Sequence, residues 1–330
     1  MPIFQSNNLL SIFSFDMYKF LKKMCLYVVF LYGCFLLLLI LSSAIVKNKM
    51  AKRGRGVIID KNALLAATKS PKIILIGGSN VCYGINSKLL QDSLKMPVVD
   101  MAITAEVGML FYYNQVKPYI HKGDIVVGIP EYAAYKDNKL YGEASMYELS
   151  VVQPSNLKYI APIQWIRFPR FAGDIIKENY NTFVSEKNSI ISNGRNLYNA
   201  LGDYEGHKGK NSTFKVNPTG SLKNERLEMA SAFKKMLDNF NIFCNQKGGT
   251  YLHSFPVYAR SRYKMEWGNE MVKQLNGIAV INSPEEYLFG PDSLYDTENH
   301  IQYEYRDLRT KRLINNLKNF LEKQSNISLE

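Results

Sequence analysis

The sequence predicts an α/β three-layer sandwich: a five-stranded parallel sheet covered by helices on both faces, preceded by one transmembrane helix. Two patterns predict it. Short apolar runs at 73–76, 98–103 and 125–129 end at Gly, Thr or Pro and alternate with stretches of helical spacing, which is the signature of βα units whose sheet is buried on both sides. Ahead of them, residues 24–46 are 23 consecutive positions without a charge, long enough to cross a bilayer as a helix.

Taken in order, residues 1–23 read as an N-terminal tail, with Met17 a more typical beginning than Met1, and 24–46 as the transmembrane helix. Residues 47–71 carry Lys47, Lys49, Lys52, Arg53 and Arg55 together with Gly54 and Gly56; they read as a basic juxtamembrane linker suited to anionic headgroups. Residues 72–330 form the folded body. Its first strand, 73–76, runs into Gly77-Gly78-Ser79-Asn80. Helical spacing follows over 84–96 and is closed by Pro97. A second strand (98–103), a helix (106–121) and a third strand (125–129) ending at Pro130-Glu131-Tyr132 complete the regular alternation. Residues 133–222, rich in Tyr, Asn and Lys, interrupt it, and an insertion at the C-terminal end of a strand is expected to form a cap over the site. Helical spacing returns over 224–246, a fourth strand spans 250–255, a short helix covers 262–275, and 278–281 is a fifth strand. An amphipathic helix over 304–323, with Leu308, Leu313, Ile314, Leu317 and Leu321 as its stripe, closes the chain.

The formal charge of +12 suits anionic lipid or an acidic polymer, and equally a basic surface with no dedicated partner. Neither zinc-ligand spacing nor an RNA-binding aromatic signature is present, so nucleic acid is not expected. Of four cysteines, Cys25 and Cys34 lie in the apolar run. Cys82 and Cys244 are left to the body, too few for a disulfide framework or a metal cluster, though one bridge between them is geometrically open. No metal or cofactor is expected.

Orientation draws on opposing signals. Basic residues are more numerous after the apolar run than before it, which by count alone favours a cytoplasmic body. The run exceeds signal-peptide length and no Ala-x-Ala site ends it, which favours an uncleaved anchor with the body outside. The anchor reading is adopted: a single-pass cell-membrane protein with an extracytoplasmic body.

Ser79 stands at the C-terminal end of a strand, where ligands bind in open α/β sheets. Nucleotide-binding motifs fail on spacing. Ser79 sits in the second glycine slot of Gly-x-Gly-x-x-Gly, five residues rather than four separate Gly78 from Gly84, and Val81 takes the last glycine of Gly-x-Ser-x-Gly. A serine nucleophile needs a base and a group to orient that base. Of His121, His207, His253 and His300, only His300 is expected on the same sheet edge with a nearby carboxylate. Asp296, four residues earlier, can fold back onto its imidazole.

Gly77-Gly78-Ser79-Asn80 near the start of the body and Asp296-Thr297-x-x-His300 near its end resemble the SGNH/GDSL hydrolase superfamily. The likeness is greatest to a membrane-anchored branch associated with bacterial cell-surface polysaccharides, similar in outline to the D-alanyl-lipoteichoic acid and alginate acetylation proteins. Pro130-Glu131-Tyr132, Phe255-Pro256 and Arg309-Thr310 add to it. The resemblance implies a flavodoxin-like fold, with Ser79 as nucleophile, His300 as base and Asp296 as its orienting partner. It puts the backbone N–H groups of Ser79 and Ala102 in the oxyanion hole, and Asn80, Glu131 and Tyr132 near the substrate. Glu131 stands where the family supplies an asparagine donor, and a carboxylate has no proton to donate unless protonated. The implied activity is a serine-dependent O-acyl esterase or acyltransferase on a cell-envelope polysaccharide, with the bilayer, an envelope glycan or acylated polymer, and a membrane-bound O-acyltransferase as partners. The alternatives are a non-catalytic binding or accessory protein of that fold in a polysaccharide modification or export complex, and an accessory protein facing the cytoplasm.

Overall fold

The computed structural model describes residues 8–185, 194–215 and 228–327; the first residues of the tail, parts of the insertion at 186–193 and 216–227, and 328–330 lie outside the described residues. One helix, α1 (Asn8–Met50), carries the whole apolar run, and Met17–Met50 is long and apolar enough to span a membrane. Its last turns are not free: Leu39, Val46 and Met50 are buried against the body.

The segment read as a linker is part of the body. A 3₁₀ turn (Gly54–Val57) leads into α2 (Ile58–Ala67), with Ile58, Lys61 and Leu65 buried on one helical face. Lys61 Nζ donates to the carbonyls of Asp100, Ala102 and Gly202 at 2.8, 2.7 and 2.7 Å and lies 3.6 Å from the Asp100 carboxylate. A lysine is tolerated in the interior only with such partners. These come from sequence-distant segments, so the local sequence gave no sign of them.

β1 (Ile73–Gly77) is followed by α3 (Ser79–Gly84) and α4 (Ser87–Leu94), then β2 (Val98–Asp100), α5 (Met109–Val116) and β3 (Ile125–Ile129). The insertion contributes α6 (Asp137–Leu140), α7 (Ala144–Val152), α8 (Pro162–Arg167) and α9 (Ala172–Val184). After it come α10 (Ser231–Gln246), β4 (Thr250–His253), β5 (Tyr258–Ala259), α11 (Met265–Gln274), β6 (Leu288–Phe289) and α12 (Arg306–Ile327). The main sheet is wholly parallel, in the order β2-β1-β3-β4, with Ile74 opposite Val99 on one side and Val126 on the other.

Side chains alternate across the pleat. Ile74, Ile76, Val99 and Val126 pack with Phe111 of α5, Leu149 of α7 and Phe240 of α10. Ile73, Leu75, Val98 and Val127 pack on the other side with Leu90 of α4 and Leu313 and Leu317 of α12. Helices therefore cover both faces, as the continuous apolar strands require. At the N-terminal edge, Lys72 and Asp124 form a buried pair at 2.7 Å that ties the entries of β1 and β3 together.

Two further expectations are corrected. The fifth strand shrinks to a single parallel bridge of Val280 to His253, with hydrogen bonds from His253 N–H to Ala279 O and from Ile281 N–H to His253 O. Gly277 and Pro284 bracket the segment, and Asn282 leaves the ladder to accept the Phe255 N–H at 3.0 Å. The main sheet thus has four strands, and β5 pairs with β6 in a separate two-stranded sheet. The insertion also divides its work. Residues 144–184 pack chiefly on α1, with α7 also reaching the turn at 105–107, whereas 194–215 run along α3 towards Ser79, with Tyr204 N–H on Cys82 O at 2.8 Å. Cys82 and Cys244 are buried free thiols, so the open bridge is not formed.

Candidate active site

Gly77 precedes Ser79 with no room for a side chain, and a larger residue at Gly78 would have to displace the Glu131 carboxylate. Both have negative φ, so left-handed backbone is not the reason. A Cβ on Gly77 would overlap Ile129 O, and one on Gly78 would meet Glu131 Oε1 at 2.5 Å and Ala105 Cβ at 3.0 Å. Ser79 is thereby held as the first residue of α3, beside the end of β3 and the 3₁₀ turn Ala105–Val107.

The partner loop is shaped by its own hydrogen bonds. Leu294 and Ile301 form an antiparallel bridge, and Tyr295 N–H donates to His300 O at 2.8 Å. This closes a tight loop in which a four-residue spacing brings Asp296 back to His300. Residues 212–214 of the insertion brace it: Ser212 Oγ donates to Leu294 O at 2.7 Å, and Phe214 N–H donates to Tyr295 O.

Across the gap, His300 Nδ1 lies 2.6 Å from Asp296 Oδ1, and His300 Nε2 lies 2.7 Å from Ser79 Oγ. A carboxylate only accepts, so Nδ1 carries the proton and donates it to Asp296. Nε2 is then bare and accepts the Ser79 hydroxyl. The imidazole is held flat by Tyr83, whose ring stacks on it at 4.2 Å and 10°. Tyr204 stacks behind Tyr83 at 4.4 Å, and His207 lies parallel to Tyr204 at 5.7 Å. Burial, with Arg306 nearby, lowers the His207 pKa to about 4, so it is neutral at pH 7.

The opposite side of Ser79 is arranged differently. Glu131 Oε1 is 3.2 Å from Ser79 Oγ, accepts the Asn80 N–H at 3.1 Å and lies 3.5 Å from Asn80 Nδ2. The serine has one proton and two acceptors competing for it, the nearer being His300. Ala102, expected to donate its N–H to an oxyanion, gives it instead to Asp100 Oδ1 at 2.8 Å; burial raises the Asp100 pKa to about 7 against the pull of Lys61. The residue that does lie beside Gly78 is Ala105. It opens a 3₁₀ turn, and such a first residue has no acceptor within its own helix.

Asn80 and Tyr132 are not presented to a substrate. Asn80 is fully buried: its Nδ2 donates to Ile129 O at 3.2 Å, and Arg309 donates to its backbone carbonyl and to its Oδ1. Gly84 leaves the room that the Arg309 guanidinium fills, and burial lowers the Arg309 pKa to about 10. Tyr132 is 3% exposed and packs edge-on against Tyr258. Of the other histidines, His253 is buried between the hydroxyls of Tyr135 (2.8 Å) and Tyr251 (3.3 Å), and burial lowers its pKa to about 3.

Sequence reasoning assigned no role to Lys61, Tyr83, Ala105, Tyr204 or Arg309. For two of them a signal was available: Arg309 precedes Leu313 and Leu317, and Lys61 precedes Leu65, by steps of four along a buried helical face. Neither a protein-family model nor a curated protein matches the chain.

Proposed function

We propose that the chain is a membrane-anchored SGNH-like serine hydrolase, an O-acyl esterase or acyltransferase working through an acyl-enzyme on a cell-envelope polysaccharide. The observation that carries this reading is the unbroken line Ser79–His300–Asp296, with gaps of 2.7 and 2.6 Å. The strand order 2-1-3-4 agrees with the first part of a flavodoxin-like order.

In the proposed reaction Ser79 Oγ attacks an ester carbonyl while His300 Nε2 takes its proton, and Asp296 stabilises the imidazolium. To the oxyanion this reading assigns the N–H groups of Ser79 and, in place of Ala102, of Ala105, the first residue of the 3₁₀ turn next to Gly78. Collapse breaks the ester C–O bond, and His300 returns the proton to the departing alcohol, leaving the acyl group on Ser79. Water completes an esterase cycle and a sugar hydroxyl a transferase cycle, with His300 again the base. On this reading α1 is the anchor and the body lies outside the cytoplasm, where an envelope glycan or acylated polymer would be the substrate and a membrane-bound O-acyltransferase a partner.

A non-catalytic binding or accessory role is the second reading, favoured by one observation: the Glu131 carboxylate occupies the side of Ser79 where an oxyanion would form. A fluorophosphonate probe separates the two. Labelling of the wild type, lost in Ser79→Ala and His300→Ala, supports the hydrolase. A folded wild type that stays unlabelled overturns it.

A further inference from the structure

Lys19, Lys22 and Lys23 set the near limit of the span in α1. About 20 helical residues cross the hydrocarbon core at 1.5 Å each; counted from Met24, that reaches Ser43. The body, however, touches α1 well before Ser43. An apolar groove of ≈ 770 Å³ runs between them, bordered on α1 by residues from Tyr32 to Lys47 and on the insertion by Tyr147, Leu157, Trp165, Phe168 and Ile175. The half of the span nearest the body therefore shares its depth with the insertion.

The insertion is built for that depth. Helix α9 buries Ala172, Ile175, Asn179 and Thr182, and leaves Ile176, Tyr180 and Phe183 exposed as a second stripe. Ile166 of α8 is 75% exposed. Asn179 Nδ2 donates to the hydroxyls of Ser42 and Ser43 at 3.0 and 3.1 Å, pairing polar groups between helices as a water-free setting demands. The polar side of α9 (Asp174, Lys177 and Glu178) faces a separate depression with Arg55 and Glu106. One apolar side and one polar side describe a helix lying in a membrane interface.

We propose that α8 and α9 are sunk into the bilayer leaflet beside α1, and that a lipid acyl chain fills the groove between them. The occupant is lipid because the groove is continuous with the spanning segment itself, and because Lys47 lines it while Lys158, Arg167 and Arg170 adjoin its lining residues Leu157, Trp165 and Phe168 in sequence, charges that suit anionic headgroups. The proposal is independent of the chemistry at Ser79.

The chain has two tryptophans, one in this groove and the other, Trp267, 6% exposed in the body, so each can be read alone. Full-length Trp267→Phe protein, reconstituted in phosphatidylcholine–phosphatidylglycerol vesicles, reports Trp165; Trp165→Phe protein reports Trp267. The expected result is that lipids brominated along their acyl chains quench Trp165 and aqueous iodide does not, while Trp267 ignores the brominated lipids. Quenching of Trp165 by iodide, its indifference to brominated chains, or equal lipid quenching of Trp267 would each overturn the proposal. If Trp267→Phe does not fold, subtracting the Trp165→Phe emission from that of the wild type isolates the same signal.

Discussion

The two sides of Ser79 are built on opposite principles. On the His300 side every group is ordered by the next: Asp296 sets the tautomer, Tyr83 stacks on the ring and fixes its plane in space, and the loop is closed by its own backbone hydrogen bonds. On the Glu131 side an acceptor stands where a donor would help, and the Ala102 N–H is already spent on Asp100. A proton relay can thus be complete in a site whose charge-stabilising half is weak. The difference matters because removing one oxyanion donor costs about 10²–10³ in rate.

The largest expected effect tests the relay side. Ser79→Ala removes ester hydrolysis and probe labelling together, a loss of at least about 10³-fold where the triad acts as a unit. Asp296→Asn, which lets the wrong imidazole tautomer form, lowers kcat with KM little changed. Hydrolysis of a chromogenic acetyl ester reads both, and a variant Ser79→Ala that keeps its activity would break the comparison outright.

Next comes the clamp shared by both sides. Arg309→Ala strips the buried Asn80 carbonyl and Oδ1 of their donors and opens a cavity, a cost of about 3 kcal/mol. A lower urea midpoint in vesicle-free detergent measures it. An unchanged midpoint would mean that the serine turn is held by its glycine contacts alone.

Glu131→Gln sharpens the comparison from the other side. It keeps an acceptor for the Asn80 N–H and adds an amide donor beside Ser79, so ester hydrolysis is expected to rise by about tenfold, a fraction of what one good donor supplies. A fall in kcat instead would assign the carboxylate a working role and remove the contrast.

A further effect falls on the pH dependence of stability. Burial holds the pKa of His207 at about 4 in the folded protein against 6.5 when unfolded. Between those values the unfolded chain binds more protons, so stability is full above pH 6.5 and declines as pH falls towards 4. At pH 5 the loss is about 2 kcal/mol relative to pH 8, from a shift worth 1.36 kcal/mol per unit. His253, buried with the same sign, adds to it. Thermal melts of the wild type and His207→Gln at pH 8 and pH 5 isolate the first contribution. An equal pH dependence in both would show that His207 does not titrate on unfolding.

Much of this was readable in one dimension. Continuous apolar runs located four strands and the 3.6 period most helices, because a strand buried on both faces is apolar throughout while a helix buries one stripe. The 23-residue uncharged run defined the candidate span, since only a helix of about that length satisfies its backbone in lipid. Ser79, Asp296 and His300 were named by motif and spacing, and the spacing worked because Asp296 and His300 share one short loop.

What tertiary structure alone decided lies where partners come from distant segments. Lys61 lies in the stretch read as a linker, yet three carbonyls from two distant segments, 100–102 and 202, surround it, and Arg309 carried no role until Asn80 met it across the fold. Ala102 seemed a free donor because its acceptor, two residues back, turns inward only when β2 ends under Lys61. The fifth strand failed because Asn282 found a better partner in Phe255 N–H than in a longer ladder. The insertion, expected over the site, rests on α1 along one half, because its apolar side matches that of the helix. Local pattern records which faces a segment must bury; the burying partner, and every charge that partner neutralises, is chosen only when the chain closes on itself.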